Sequence, residues 1–255
     1  MKKKTNNLGG KKVENKTVDK KKKTAIICSI VGLFMIGIII LGLALGGVFE
    51  KEEAILYKRN VGTKGFYKYY IEGENYPGKY AVMTFEDEEN QYEIEVYLMS
   101  ELAPVSVNNF IKYAKDGFYD GTVIHRIVKG TSTFQGGGYT YNSTANKYES
   151  KTATYSPIAG EFAENNNGNY KYNNISHFAG SISMARTNSY DSATSQWFIS
   201  YDDYSGWDGK YACFGFIVDG EDVQKIKEIA TKASLDSNDY PIKPITLKSV
   251  KIIEK

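Results

Sequence analysis

Residues 117–126 read Gly-Phe-Tyr-Asp-Gly-Thr-Val-Ile-His-Arg, and they lie where one periodicity gives way to another. On the N-terminal side, apolar residues recur at helical spacing, and Gly117 is placed to end that helix. The helical positions are Val107, Phe110, Ile111 and Ala114. On the C-terminal side, residues 123–128 form a short apolar run that is typical of a buried strand. This stretch therefore predicts a helix that leads directly into a β-strand.

The sequence around this stretch predicts mainly short strands. Residues 92–98 alternate between apolar and charged side chains, which is the period-2 pattern of a half-buried strand. Further strands are predicted over 180–185, 196–200, 212–218 and 245–253, and a second amphipathic helix over 221–232. Residues 139–156 are rich in Ser, Thr, Asn and Tyr and are predicted to form a long exposed loop. Many short strands with two helices indicate a closed barrel or a sandwich, and periodicity alone does not choose between them.

The charge of the chain is unevenly distributed. Residues 1–23 contain ten lysines and two acidic residues, whereas the remainder carries 22 basic and 28 acidic residues. The basic segment is predicted to be a cytoplasmic tail. The acidic remainder has no basic stripe, so it is a poor candidate for binding nucleic acid.

Residues 24–49 are predicted to form one transmembrane helix. No charged residue occurs from Ala25 to Phe49, and a helix of that length would span roughly 37 Å, enough for a hydrocarbon core of about 30 Å. Lysines precede the apolar run and acidic residues follow it, so the positive-inside rule places the C-terminal part outside the cell membrane. A cleaved signal peptide is the open alternative, although the run is longer than a usual signal-peptide core.

The part after the apolar run is divided into a linker and a domain. Residues 50–75 are polar and rich in Gly, Lys and Tyr, which predicts a spacer, and residues 76–255 are predicted to form the folded domain. Cys28 lies in the apolar run and Cys213 in the domain, so the two are not expected to pair. Cys213 is predicted to be a small buried apolar residue.

Several stretches, in matching order and spacing, resemble the cyclophilin family over roughly residues 78–255. They are residues 101–110, 117–126, 134–137, 180–187, 192–199 and 208–215. The resemblance implies a mainly β fold, namely an eight-stranded antiparallel barrel closed by two α-helices, with the active groove on the outer face. It implies a peptidyl-prolyl cis-trans isomerase that binds proline-containing segments of proteins.

The same resemblance implies the catalytic residues. Rotation about an X–Pro amide faces a barrier of about 20 kcal/mol, and no covalent bond breaks, so neither a metal nor a cofactor is expected. Arg126 matches the arginine that hydrogen-bonds the prolyl nitrogen as the amide twists. Gln135 matches the glutamine that orients this arginine and the substrate. The only two histidines, His125 and His177, match structural positions, and their separation makes a zinc site improbable.

Further positions match the substrate groove. Phe198 matches a wall of the proline pocket, and alternation along the strand places it opposite Trp197, which is expected in the core. The other expected substrate contacts are Phe134, Met184, Ala185, Arg186, Gln196, Trp207 and Tyr211. Residues 184–186 would contribute backbone groups that pair with the peptide, and Tyr211 stands where many members of the family carry His.

Two departures from the family pattern concern the pocket. The run 130–137 is one residue longer than usual and polar where Phe and Met are common, so either Phe134 turns into the pocket or one apolar wall is missing. Trp207 follows Gly206, which displaces the expected aromatic ring by one position and makes sensitivity to cyclosporin doubtful. A missing wall would weaken binding by about 1–3 kcal/mol. A non-catalytic proline-peptide-binding chaperone module is therefore the alternative to an isomerase that assists folding of exported or cell-surface proteins.

Overall fold

The computed structural model of the chain describes residues 53–61, 65–166 and 173–255. The predicted cytoplasmic tail and transmembrane helix lie outside these residues. Among the helices that are described, none is both long and apolar enough to cross a membrane.

The described residues are mainly β, with two α-helices. The strands are β1 Ile55–Asn60, β2 Tyr67–Glu72, β3 Lys79–Glu86, β4 Gln91–Leu98, β5 Thr122–Val123, β6 Arg126–Val128, β7 Thr133–Gly136, β8 Tyr139–Asn142, β9 Lys147–Ser150, β10 Ser181–Met184, β11 Trp197–Ser200, β12 Cys213–Ile217 and β13 Thr246–Glu254. The helices are α1 Pro104–Lys115 and α2 Gly220–Lys232.

Both helices begin and end where local chemistry favours it. Pro104 opens α1, where its missing N–H is not needed, and Gly117 follows the helix at φ +65°, a conformation that favours glycine. The Asp219 side chain caps α2 by accepting a hydrogen bond from the backbone N–H of Glu221 at 2.7 Å. The two predicted helices are confirmed; α1 ends at Lys115, just before Gly117, and α2 begins one residue before the predicted start.

Nine strands form one curled antiparallel sheet in the order β5-β13-β3-β4-β12-β10-β11-β7-β6. The two end strands, β5 and β6, are separated in sequence only by Ile124 and His125. The ends of the sheet therefore lie close together, and the sheet curls around its own inner face. The expected eight-stranded barrel is thus a curled sheet in which residues 122–128 supply two short strands instead of one.

The inner face of the curled sheet holds the main core. Trp197, Phe85 and Phe134 are fully buried there, with the Phe85 ring 6.4 Å from Trp197 and 6.0 Å from Phe134. Helix α1 covers this core with Val107 and Phe110. Such packing of large rings explains why the domain needs no disulfide among its described residues.

Two segments that were expected to be irregular contain hairpins. The predicted spacer includes the pair β1–β2, whose inner side chains pack on a second apolar cluster of the domain. That cluster contains Tyr69, Met99, Ile175, Phe178, Cys213 and Phe216. The predicted loop over 139–156 contains the pair β8–β9, in which Tyr148 donates a hydrogen bond to the Pro241 backbone oxygen at 2.7 Å. In both segments tyrosine rings supply apolar surface, although the polar composition of the segments predicted irregular structure.

Candidate active site

Arg126, Gln135 and Phe198 lie side by side on three neighbouring strands. Arg126 pairs with Gln135 across β6 and β7, and Gln135 pairs with Phe198 across β7 and β11. Residues that oppose each other in a sheet project to the same face, and adjacent residues in a strand project to opposite faces. Phe134 and Trp197, which precede Gln135 and Phe198, lie in the core. The row therefore faces away from the core, on the outer side of the sheet.

The Arg126 side chain is accessible at one end of this row. It is 52% exposed, and its Nε lies 3.9 Å from Oδ2 of Asp239, whose side chain is 45% exposed. The loop that carries Asp239 is held nearby, because the Ile127 N–H donates to the Asp239 backbone oxygen at 2.9 Å. A long contact between exposed groups contributes little to stability, so the guanidinium can still reach a bound peptide. Sequence reasoning missed Asp239, since no local pattern connects it to Arg126.

The two glutamines of the site are joined to each other. Nε2 of Gln135 donates to Oε1 of Gln196 at 2.9 Å, and the Gln196 backbone oxygen accepts from the N–H of Ala185 at 3.0 Å. Gly138 leaves room for this arrangement, since a Cβ there would lie 2.5 Å from Cγ of Gln196. The structure thus brings Gln135 and Gln196 together beside Arg126.

Phe198 belongs to an aromatic cluster on the outer face. Its ring centroid lies 5.4 Å from that of Tyr211, 6.4 Å from that of Trp207 and 6.0 Å from that of His177. Trp207 and Tyr211 are themselves in contact, with centroids 5.0 Å apart, and both are half-buried. Apolar ring faces that are partly open to solvent suit the binding of a proline ring. Trp207 joins the cluster although it is displaced by one position in the sequence.

Arg186 packs against the ring of Tyr211. Its guanidinium lies 4.6 Å from the Tyr211 ring and also contacts the rings of Phe162 and Tyr190. Nε and Nη2 donate to the Lys210 backbone oxygen at 3.1 and 2.8 Å. These two donors are used within the protein, and the side chain packs on Tyr211.

Two of the expected substrate contacts are placed elsewhere. Phe134 is fully buried on the inner face of β7, so the prediction that its side chain contacts substrate is wrong. The Met184 side chain is in the core, and its N–H donates to the Ala212 backbone oxygen at 3.0 Å. The N–H of Ala185 is also used, by Gln196. Pairing between residues 184–185 and a peptide therefore cannot use these N–H groups.

Next to the row, the outer face of the sheet carries buried hydroxyl groups. Thr133 pairs with Ser200 two residues along from Phe198, so both side chains share the outer face. The hydroxyls of Thr131 and Thr133 lie 3.0 Å apart, and Ser132 takes a left-handed conformation at φ +50° that accommodates the longer turn. Phe134 does not turn outward, so hydroxyl-bearing side chains stand on the outer face where an apolar side chain was expected.

Both histidines are buried. Burial lowers the pKa of His125 to about 4, and its ring stacks on Tyr139 with centroids 4.3 Å apart. Burial also lowers the pKa of His177, although Asp208 opposes this shift. Among the described residues, no three His, Cys, Asp or Glu side chains come together as metal ligands. The site chemistry that these residues offer is hydrogen bonding and apolar contact.

The family model described as cyclophilin-type peptidyl-prolyl cis-trans isomerase/CLD matches residues 82–252. Peptidyl-prolyl cis-trans isomerase A of Dickeya dadantii is 39% identical over 168 residues, which cover 64% of this chain and 80% of that protein. Peptidyl-prolyl cis-trans isomerase B of Escherichia coli is 33% identical over 174 residues, 65% of this chain and 96% of that protein. The chain therefore belongs to the cyclophilin-type peptidyl-prolyl cis-trans isomerases.

Membership in this family makes the protein an enzyme that interconverts the cis and trans forms of X–Pro bonds. A crystal structure of a Cryptosporidium parvum cyclophilin-type isomerase shares the fold, with a TM-score of 0.53 and 21% identity, and covers 71% of this chain and 99% of that chain. The same protein has been solved in the presence of the dipeptide Ala-Pro, with the same TM-score. The family model and the curated relatives favour an isomerase over the non-catalytic module.

Proposed function

We propose that Arg126 catalyses the isomerisation, with Gln135 and Gln196 orienting it and the peptide. The observation that carries this proposal is the row of Arg126, Gln135 and Phe198 across three strands of the outer face. A donor at one end and an apolar ring at the other match the two parts of an X–Pro unit, its amide and its pyrrolidine ring.

The chemistry follows from the electronic structure of the amide. The barrier to rotation, about 18–20 kcal/mol, arises because the nitrogen lone pair is conjugated with the carbonyl. As the bond twists, this lone pair localises on nitrogen and becomes a better acceptor. A guanidinium N–H that donates to it stabilises the twisted state more than the planar one, which lowers the barrier. Arginine keeps its charge over the working pH range, so Arg126 supplies this donor without titrating.

The pocket would hold the proline ring while the amide rotates. Phe198, Trp207 and Tyr211 supply apolar ring faces, and the amide pair Gln135–Gln196 supplies polar groups beside them. The hydroxyl of Thr133 replaces an apolar wall, so we expect weaker binding of small X–Pro peptides than a fully apolar pocket would give.

The catalytic proposal is tested with the purified full-length chain in detergent. The rate of isomerisation of an X–Pro tetrapeptide is compared between the unchanged protein and Arg126→Ala. We expect a large loss of activity with unchanged folding. An unaltered rate in a folded Arg126→Ala protein would remove Arg126 from the mechanism.

We further propose that residues 24–49 anchor the enzyme in the cell membrane, with the domain on the outer side, where it assists the folding of exported or cell-surface proteins. The uncharged run and the lysines before it support this proposal. Protease added to intact cells should digest the domain and leave an N-terminal fragment in the membrane fraction. Release of the domain by salt or alkaline washing would contradict an uncleaved anchor.

A further inference from the structure

The hairpin β1–β2 precedes the region that the family model matches, yet it is bonded to the segment behind the pocket. The N–H of Tyr67 donates to the Asn174 backbone oxygen at 2.8 Å, and the N–H of Ser176 donates to the Tyr67 backbone oxygen at 2.9 Å. The Tyr69 hydroxyl donates to Oδ1 of Asn174 at 2.9 Å. Strand β2 therefore fixes residues 174–176 through three hydrogen bonds.

The fixed segment in turn holds Asp208. Oδ2 of Asp208 accepts from the Ser176 hydroxyl at 2.8 Å, and Oδ1 accepts from the His177 backbone N–H at 2.7 Å. Nδ1 of His177 lies 3.1 Å from the same Oδ1. The side chain of Asp208 is only 2% exposed and that of His177 is fully buried. A buried carboxylate is tolerated only where such partners are present, so the geometry of Asp208 depends on residues 176–177.

Asp208 lies in the loop that carries two walls of the pocket. We call residues 204–211 the pocket loop. Trp207 precedes Asp208 directly, and Tyr211 follows three residues later. The His177 ring, held by Asp208, stacks on Phe198 with an interplanar angle of 11°. The Asp208 carboxylate is thus linked to all three aromatic walls.

The hairpin also touches the pocket loop directly. Phe66, next to β2, is 4% exposed. A Cβ placed at Gly209 would lie 3.3 Å from Cζ of Phe66, so the ring packs close behind the loop. Gly209 itself has φ +75°, a conformation that favours glycine. The hairpin therefore supports the pocket loop both by contact and through residues 174–177.

We propose that the hairpin β1–β2 is a brace that sets substrate affinity by holding the pocket loop against Phe198. Phe66 and Asp208 are positioning residues in this arrangement, since neither belongs to the row that faces the substrate. The proposal rests on the proposed active site and adds an element outside the family match to it. Loosening the brace should let Trp207 and Tyr211 move away from Phe198 while Arg126 stays in place on the sheet.

The test compares brace variants with a control on the same hairpin. Phe66→Ala, Asp208→Ala and Asp208→Asn are made in the full-length chain, with Tyr57→Ala as the control because the Tyr57 ring is 37% exposed and stacks only on Tyr70 among the described rings. We expect Phe66→Ala and Asp208→Ala to raise KM for an X–Pro peptide about fivefold or more, with kcat nearly unchanged. Asp208→Asn, which keeps an acceptor oxygen, should recover much of the affinity, and the control should behave as the unchanged protein.

Tryptophan fluorescence provides a readout that does not depend on substrate. Trp197 is fully buried, whereas Trp207 is half-buried, so acrylamide quenching reports mainly on Trp207. Acrylamide should quench the tryptophan fluorescence of Phe66→Ala and Asp208→Ala more strongly than that of the Tyr57→Ala control. Should Asp208→Ala fail to fold, Phe66→Ala and the milder Tyr69→Phe decide the question.

Two outcomes separate failure of the brace from failure of the site. The brace proposal is overturned if Phe66→Ala and Tyr69→Phe fold and keep KM and quenching unchanged. If Arg126→Ala is inactive in the same experiment, the proposed active site still stands. An active Arg126→Ala protein would instead overturn the site on which the brace proposal rests.

Discussion

Replacing Phe198 by Ala tests whether this ring is a wall of the pocket or only part of the packing of the domain. The ring is 4% exposed and contacts Tyr211, Trp207 and His177 at centroid distances of 5.4 to 6.4 Å. Removing it will lower the free energy of unfolding by about 3 kcal/mol, the lower end of the range for buried Phe→Ala changes. The lower end applies because Phe198 lies outside the main core cluster.

The effect on substrate is separate from this loss of stability. A proline ring that packs on one face of Phe198 buries a few CH₂ groups there, each worth about 0.8 kcal/mol. Loss of that contact should weaken binding by about 1.5 kcal/mol, which corresponds to roughly a tenfold rise in KM. The rate constant kcat should change less, because Arg126 remains on β6.

The matched control is Trp197→Phe on the other face of the same strand. Trp197 is fully buried in the main core, so this change should lower the midpoint of urea unfolding and leave KM as it is. Both proteins are assayed with an X–Pro tetrapeptide at a temperature where urea titration shows them folded. An unchanged KM in Phe198→Ala would refute the assignment of this ring to the pocket.

Three further predictions concern the surroundings of the site. Thr133→Val replaces a hydroxyl of the polar wall by a methyl group, and it should lower KM for X–Pro peptides about two- to fivefold in the same assay. Asp239→Asn removes an exposed contact to Arg126, so the free energy of unfolding should change by less than about 0.5 kcal/mol and kcat by less than about twofold. The pKa of His125 in the folded protein is about 4, below its ordinary value of 6.5. As pH falls, the imidazole of His125 is therefore protonated in the unfolded chain before it is protonated in the folded protein. The free energy of unfolding should therefore fall as pH is lowered from about 6.5 towards 4, by an amount on the order of 2–3 kcal/mol. Urea titrations at several pH values measure this fall, and it should be smaller in His125→Asn.

The strand and helix pattern of the domain could be predicted because its periodicity is strong. Residues 92–98 alternate cleanly, and the strand β4 covers residues 91–98. The hairpins β1–β2 and β8–β9 were missed because their apolar surface comes from tyrosines among polar residues. Tyr57 and Tyr70, for example, stack across the first hairpin at 5.5 Å, a contact that no count of hydrophobic residues indicates.

The placement of the predicted site residues depends on strand register, which could be predicted only in part. Alternation along β11 correctly placed Trp197 in the core and Phe198 on the other face. The same alternation along β7 places Phe134 inside if Gln135 faces outward. The longer turn before β7 hid this register in the sequence. Contacts between distant segments, such as Asp208 with Ser176 or Arg126 with Asp239, leave no local signal and required the folded chain.

The central claim is that Arg126 acts on the twisted amide and not on the bound ground state. The most direct test measures both kcat and the peptide dissociation constant for Arg126→Ala and Arg126→Lys, the latter keeping the charge without the planar fork of donors. The claim predicts a fall in kcat of about a hundredfold in Arg126→Ala, with peptide affinity altered less than about threefold. Parallel losses of affinity and rate, or full activity in folded Arg126→Ala protein, would contradict it.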